Sequence, residues 1–210
     1  KDFRFYYDCL MGPNARSVIQ AIKKIDKLPS VNSIAVGHGP ILQNHVEFWK
    51  NKYSEWSNNK NKGNEYVAVC YISDYGFCDR LSQALSHGIG KADAQVQLID
   101  LRSSDQQELT ALITEAKAVV IPTWPINSDV DLQESIGTLF AALKPKQFTA
   151  TYDSFGGNDE PIDSLANKLR ELKQKEALSP LRVKESPNPI IYQRFEEAGT
   201  DLGQLLNKKK

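Results

Sequence analysis

Long hydrophobic runs are missing from this chain. No apolar stretch approaches the roughly 20 residues that span a bilayer, so no membrane-spanning helix is expected. An excess of charge of one sign is also missing. Lys and Arg together number 26, and so do Asp and Glu, for a formal net charge of zero. No global basic field favours nucleic acid, and Lys208-Lys209-Lys210 is too short for a polybasic membrane patch. Cysteine is scarce. Cys9, Cys70 and Cys78 are an odd number without metal-type spacing, which fits a reducing compartment. The first residues, Lys1-Asp2-Phe3-Arg4-Phe5, include no initiator Met and have no signal-peptide or transit-peptide character, so the chain reads as a piece of a longer protein that continues upstream.

What is present is enough for one to two domains and a sizeable core, in 210 residues. Residues 57–64, Ser-Asn-Asn-Lys-Asn-Lys-Gly-Asn, hold no apolar side chain and read as a linker. Before it, Gly12-Pro13-Asn14 is a turn that starts a helix carrying Val18, Ile22 and Ile25 on one face, ended by Pro29. Residues 33–37 read as a short strand, and His45 to Trp56, with Phe48, Trp49, Tyr53 and Trp56, as a packed helix. Some 56 residues of this kind are expected to complete a larger core rather than form their own.

After the linker, strand and helix signals alternate. Strands are expected at 66–72, 95–100, 118–122, 148–152 and 181–184. Helices are expected at 76–86, 106–116, 131–143, 161–174 and 189–206. Runs such as Ala118-Val119-Val120-Ile121 belong in a parallel sheet covered on both faces. Five βα units predict an α/β doubly wound parallel sheet in the order 2-1-3-4-5, with its site in loops after the strand carboxyl ends.

Three of those loops stand out. Ser73-Asp74-Tyr75-Gly76-Phe77-Cys78 opens the first helix. A hydroxyl, a glycine and free backbone amides there make an anion site, although an ordinary capped turn reads the same way. It is neither the dinucleotide fingerprint nor a P-loop. Pro122-Thr123-Trp124-Pro125-Ile126-Asn127 holds an aromatic between two prolines, placed either to stack on a flat ring or to pack over the sheet edge. Ser154-Phe155-Gly156-Gly157-Asn158-Asp159 has paired glycines, which suit close approach to a ligand or simply a positive φ.

In this order and spacing the three loops resemble the FMN site of the flavodoxin fold, in which the first takes the phosphate and the other two flank the isoalloxazine. With residues 5–13 (Phe-Tyr-Tyr-Asp-Cys-Leu-Met-Gly-Pro), Val36-Gly37-His38-Gly39-Pro40 and the tail 197–203, nearly the whole chain resembles the flavodiiron proteins, most of all their oxygenic-phototroph diflavin branch. The resemblance implies that residues 1–56 are the C-terminal part of a metallo-β-lactamase-like αββα domain and that residues 65–210 are a flavodoxin-like FMN domain. It implies that Ser73, Asp74, Tyr75, Gly76, Phe77, Cys78, Pro122, Thr123, Trp124, Asn127, Ser154, Phe155, Gly156, Gly157 and Asn158 bind FMN, and that His38 is an iron ligand of a diiron centre. It implies reduction of O₂ to water with NAD(P)H or a photosynthetic electron carrier as donor, in a homo- or hetero-oligomer, in the cytoplasm or the plastid stroma. Three departures weaken the flavin site. Cys78 stands where the family has Thr or Ser and is the weaker donor to phosphate. Asp74 adds negative charge beside the same loop. Gly157 and Asp159 replace bulk and add an acid in the third loop. Cys78, Gly157 and Asp159 favour an alternative, a cofactor-poor subunit acting as a structural or regulatory partner.

Overall fold

The computed structural model describes residues 2–36, 41–43, 45–60, 66–156 and 162–208. It forms two compact units, Lys1–Gly63 and Asn64–Lys210.

In the first unit, helix α1 (Asp2–Tyr6) runs through a wider turn at Tyr7–Met11 and a tight one at Gly12–Asn14 into α2 (Ala15–Ile25). Strands β1 (Ser33–Ile34) and β2 (Leu42–Gln43) pair antiparallel, and α3 (Val46–Lys60) follows. Tyr7 is fully buried. Its ring meets Tyr53 edge-on at 5.4 Å and tilts on Trp56 at 5.3 Å, and its hydroxyl lies 2.8 Å from Ser57 Oγ. Two expectations change here. The packed aromatics of α3 are Trp49, Tyr53 and Trp56, whereas Phe48 is mostly exposed. Residues 57–60, expected as linker, are the last turn of α3, because Ser57 sits one turn from Tyr53 and is buried against the Tyr7 hydroxyl.

The second unit holds strands β3 (Tyr66–Tyr71), β4 (Gln95–Asp100), β5 (Ala118–Pro122), β6 (Phe148–Tyr152) and β7 (Lys175–Glu176). They form one sheet in the order β4-β3-β5-β6-β7, every pair parallel. This is the expected 2-1-3-4-5 order. The central strands are buried at successive residues, all five of β5 and the first five of β3, so both faces of the sheet are covered. The cover comes from α4 (Cys78–Lys91), α5 (Gln106–Glu115), α6 (Val130–Ala142), α7 (Ile162–Glu171) and α8 (Pro189–Asn207), with α4 packed on α8 and α5 on α6.

Two elements depart from expectation. The fifth strand lies at Lys175–Glu176 rather than at 181–184. Leu181 contributes a single parallel bridge to Tyr152, because Pro180, with no amide hydrogen, interrupts the edge between them. Helix α4 starts two residues later than expected, since Gly76 has a φ of 55° and Phe77 is not yet helical. It also runs past Ser86 to Lys91, straight through Gly88 and Gly90. Gly88 stays in the helix because its missing side chain lets α8 lie directly on it: a Cβ there would fall 1.8 Å from the Glu196 carbonyl oxygen. Among the described residues, no helix is long and apolar enough to cross a membrane.

Candidate cofactor site

The carboxyl ends of β3, β5 and β6 bring the three singled-out loops together. Gly76 rests on the third loop, where a methyl group in place of its hydrogen would lie only 2.5 Å from the Ser154 carbonyl oxygen. The Phe77 amide donates to that same carbonyl at 2.9 Å. The Phe77 and Phe155 rings lie 5.9 Å apart, and Gly156 passes directly beneath the Tyr75 ring. The second loop is tied in through Thr123. The Ser154 amide donates to Thr123 Oγ1 at 3.2 Å, and Ser154 Oγ donates to the Thr123 carbonyl at 3.1 Å, with both residues buried. Pro122 ends β5 opposite Tyr152 and is buried in the sheet.

Trp124 is half-buried and meets Phe140 edge-on at 6.1 Å. Beside it is a cavity of about 120 Å³ lined by Thr123, Trp124, Ser164, Leu165 and Lys168. The Lys168 ammonium sits 4.1 Å above the Phe140 ring. Asn127 and the neighbouring Ile126 are exposed. Gly157, Asn158, Asp159 and His38 lie outside the described residues. Among the described residues no three His, Cys, Asp or Glu side chains form a group able to hold a metal ion.

Two of the expected weaknesses are corrected by the geometry. Asp74 is not an uncompensated charge, because Arg102 Nε donates to its carboxylate at 2.8 Å. Cys78 does not point into the loop. It is fully buried at the first position of α4, where its sulfur accepts from the Ile72 amide at 3.2 Å and lies 3.1 Å from the Tyr152 hydroxyl. Tyr152 spends its own proton on the Cys70 carbonyl at 2.8 Å, so the thiol donates to the Tyr152 oxygen. Burial, first, and the Cys78 contact push the Tyr152 hydroxyl well above its ordinary pKa, so it stays protonated in this chain of bonds. Cys78→Ser is therefore expected to leave FMN affinity within about twofold while shifting the unfolding midpoint, since a hydroxyl here serves Ile72 and Tyr152. Flavin titration of the apoprotein beside a urea melt checks both halves.

A fourth loop, after β4, was not singled out by its sequence and organises the first. Asp100 Oδ1 accepts from the Ser73 amide at 3.2 Å and from the Arg102 amide at 3.1 Å, and Oδ2 accepts from Ser103 Oγ at 3.1 Å. Arg102 reaches from there to Asp74 and, through Nη1, to both carboxylate oxygens of Asp129 at 2.7 and 2.5 Å. Asp129 caps α6 by accepting from the Leu132 amide at 3.0 Å. The Arg102 bond, then the Leu132 amide, hold its carboxyl below the usual range. That stabilisation is present above the unfolded value near 4 and is lost as pH falls through the folded one.

The residues fit a phosphate in one respect. Helices α5, α6 and α8 carry side-chain caps from Asp105, Asp129 and Asn188, whereas the N-cap of α4, Phe77, supplies none, and the Cys78 amide at the first helical position donates to the Tyr75 carbonyl at 3.2 Å. In another respect the cradle is already answered, by the Ser154 carbonyl on the Phe77 amide.

A five-stranded parallel sheet in this order, with loops converging at its carboxyl end, defines a flavodoxin-like α/β unit. A solved flavodoxin-like domain from Synechococcus sp. is 44% identical, with a TM-score of 0.65, covering 68% of this chain and 99% of that one. The metal-soaked flavodiiron core of a Synechocystis sp. protein covers 99% of this chain and 52% of that one, at 30% identity and a TM-score of 0.84. Diflavin flavoprotein A 1 of Synechocystis sp. is 45% identical over 205 residues, 98% of this chain. The chain belongs to the diflavin flavoproteins, the oxygenic-phototroph branch of the flavodiiron family. It spans 36% of the length of that Synechocystis relative. No protein-family model matches it.

Proposed function

We propose that this chain is the electron-transfer module of a flavodiiron oxidoreductase, in which FMN relays electrons to a diiron site that reduces O₂ to water. The observation that carries the reading is the convergence of loops 73–78, 122–127 and 154–156 at one end of a flavodoxin-like sheet, beside a helix without a side-chain cap. FMN, when bound, supplies one-electron and two-electron chemistry. The amides at the start of α4 and of its preceding loop hold the phosphate, and Gly76 lets that loop rest directly on residues 154–155. Trp124 and the third loop flank the ring system, and Arg102 fixes the first loop through Asp74. Residues 1–56 are read as the end of the metallo-β-lactamase-like domain, with His38 as one iron ligand. NAD(P)H or a photosynthetic electron carrier is the donor, and a second flavodiiron subunit the partner, in the cytoplasm or plastid stroma.

A second reading, a cofactor-poor subunit with a structural or regulatory role, is favoured by the Phe77 amide being bonded to the Ser154 carbonyl. Flavin absorbance after reconstitution and desalting separates the two. Near-stoichiometric retained FMN supports the module, and protein that emerges colourless at micromolar FMN supports the partner role.

A further inference from the structure

We propose that Ser154–Gly156 acts as an internal ligand of loop 73–78, holding the phosphate cradle shut in the free protein, and that a phosphate-bearing ligand enters only when this segment lifts. The proposal rests on the reading of that loop as an FMN phosphate site. A carbonyl presents the negative end of its dipole, so the Ser154 oxygen, 2.9 Å from the Phe77 nitrogen, takes an amide that a phosphate oxygen would take. Space is taken as well as charge. A single carbon added at Gly76 would lie 2.5 Å from the Ser154 oxygen and 2.7 Å from the Phe155 oxygen, so the space beside Gly76 is filled by the backbone of the third loop.

The segment is latched from both sides. On the inner side the buried Ser154 is bonded to Thr123 through its amide and its hydroxyl. On the outer side Phe155 packs near Phe77, and Tyr75 lies so close over Gly156 that a Cβ there would sit 1.7 Å from a ring carbon. The closed form also carries strain. Phe155 has a φ of 55°, a left-handed conformation that a side chain with a β-carbon adopts at a cost. Lifting the segment breaks the Phe77 bond and the Thr123 latch and releases that strain, so the strain offsets part of the cost of opening. That balance suits a segment that gives way to a ligand.

The test uses the whole chain without flavin. In the wild type the Phe77 amide is expected to be protected from hydrogen exchange, and the rate of FMN association to level off as FMN is raised. Gly156→Ala displaces the Tyr75 ring from over the segment and so removes the outer latch of the shut form. It is expected to speed both Phe77 exchange and FMN association by about tenfold, the ~1.4 kcal/mol of one hydrogen bond. Ser154→Ala, which loosens the Thr123 latch, moves both in the same direction by less and serves if Gly156→Ala folds poorly. A Phe77 amide in the wild type that exchanges as fast as exposed loop amides overturns the proposal. So does slower FMN association in both variants, which would make closure a requirement for binding. Should none of the proteins take FMN, inorganic phosphate decides. Shifts of the Asp74 and Gly76 amides in the variants but not in the wild type uphold the shut cradle while the FMN reading falls, and silence in all of them overturns it.

Discussion

Gly88→Ala is expected to cost the flavodoxin-like unit about 3 kcal/mol, the upper part of the range for overpacking a tight interior. Gly90→Ala, two residues along the same helix, is expected to gain about 0.5–1 kcal/mol from helix propensity. The contrast lies in what each methyl would meet. At Gly90 there is nothing within 4 Å. At Gly88 the new carbon falls 1.8 Å from the Glu196 oxygen and 2.9 Å from the Thr200 nitrogen, and both are backbone atoms with no rotamer to escape into. The contact is mutual, since a methyl on Gly199 would meet the Leu85 oxygen at 2.2 Å, and Thr200 Oγ1 donates to the Gly88 carbonyl at 3.2 Å. To admit a side chain, α4 and α8 must separate along a face that buries Phe195, Ala198, Leu202 and Leu206. The loss is therefore spread over many contacts at once. Urea unfolding checks it, with a lower midpoint at unchanged slope for Gly88→Ala and a higher one for Gly90→Ala. Equal midpoints would mean that the two helices do not touch through their backbones.

The same helix shows where local sequence signals stop being informative. His87-Gly88-Ile89-Gly90 reads as a helix end because glycine is a poor helix former, yet the helix continues, since packing against α8 outweighs propensity. Strands β4, β5 and β6 were legible to the residue, because β5 and β6 are short, largely apolar runs bounded by polar residues and β4 alternates polar and apolar side chains from Gln95 to Leu98. Strand β7 was not. Its two residues, Lys175 and Glu176, are both exposed, and a charged edge strand has no apolar pattern to read. The nearby Val183 is buried without lying in a strand, its amide donating to Asp153 Oδ2. In the site, the three loops were visible as unusual runs of glycine, proline and aromatic residues. The direction of the Cys78 side chain was not, because it depends on where α4 begins, and that start is set by Gly76 against the third loop. Arg102 was also invisible. Its partners Asp74 and Asp129 lie 28 and 27 residues away, and only the β4–β3–β5 neighbourhood brings them within reach.

Asp100 stands at the head of that fourth loop, and Asp100→Ala is expected to remove about 3 kcal/mol of stability and to weaken FMN binding by tenfold or more. Its carboxylate accepts from the Ser73 amide, the Arg102 amide and the Ser103 hydroxyl; the first bond joins the loop after β3 to the loop after β4, and the other two shape the loop after β4 itself. A hydrogen bond to a charged group contributes about 1.5–3 kcal/mol, and partial exposure brings the sum for all three to the order of 3. Without Asp100 the Ser73 amide loses its acceptor, and Arg102 loses the turn that aims its guanidinium at Asp74 and Asp129. The first loop then has to be ordered at the moment a phosphate binds, which costs about 1–2 kcal/mol per residue fixed. A little over 1 kcal/mol of that already corresponds to tenfold in affinity. Asp100→Asn keeps an oxygen on the same side but gives up the charge, so it should fall between the two, with about half the loss of stability. Arg102→Gln separates positioning from simple folding. It leaves the Asp100 bonds to the backbone intact, so stability should change by less than 1 kcal/mol, the usual worth of exposed ion pairs, while FMN affinity still falls several-fold. Flavin titrations and urea melts on the three variants check the order. Equal FMN affinity in wild type and Asp100→Ala would mean that the loop after β4 has no part in the cofactor site.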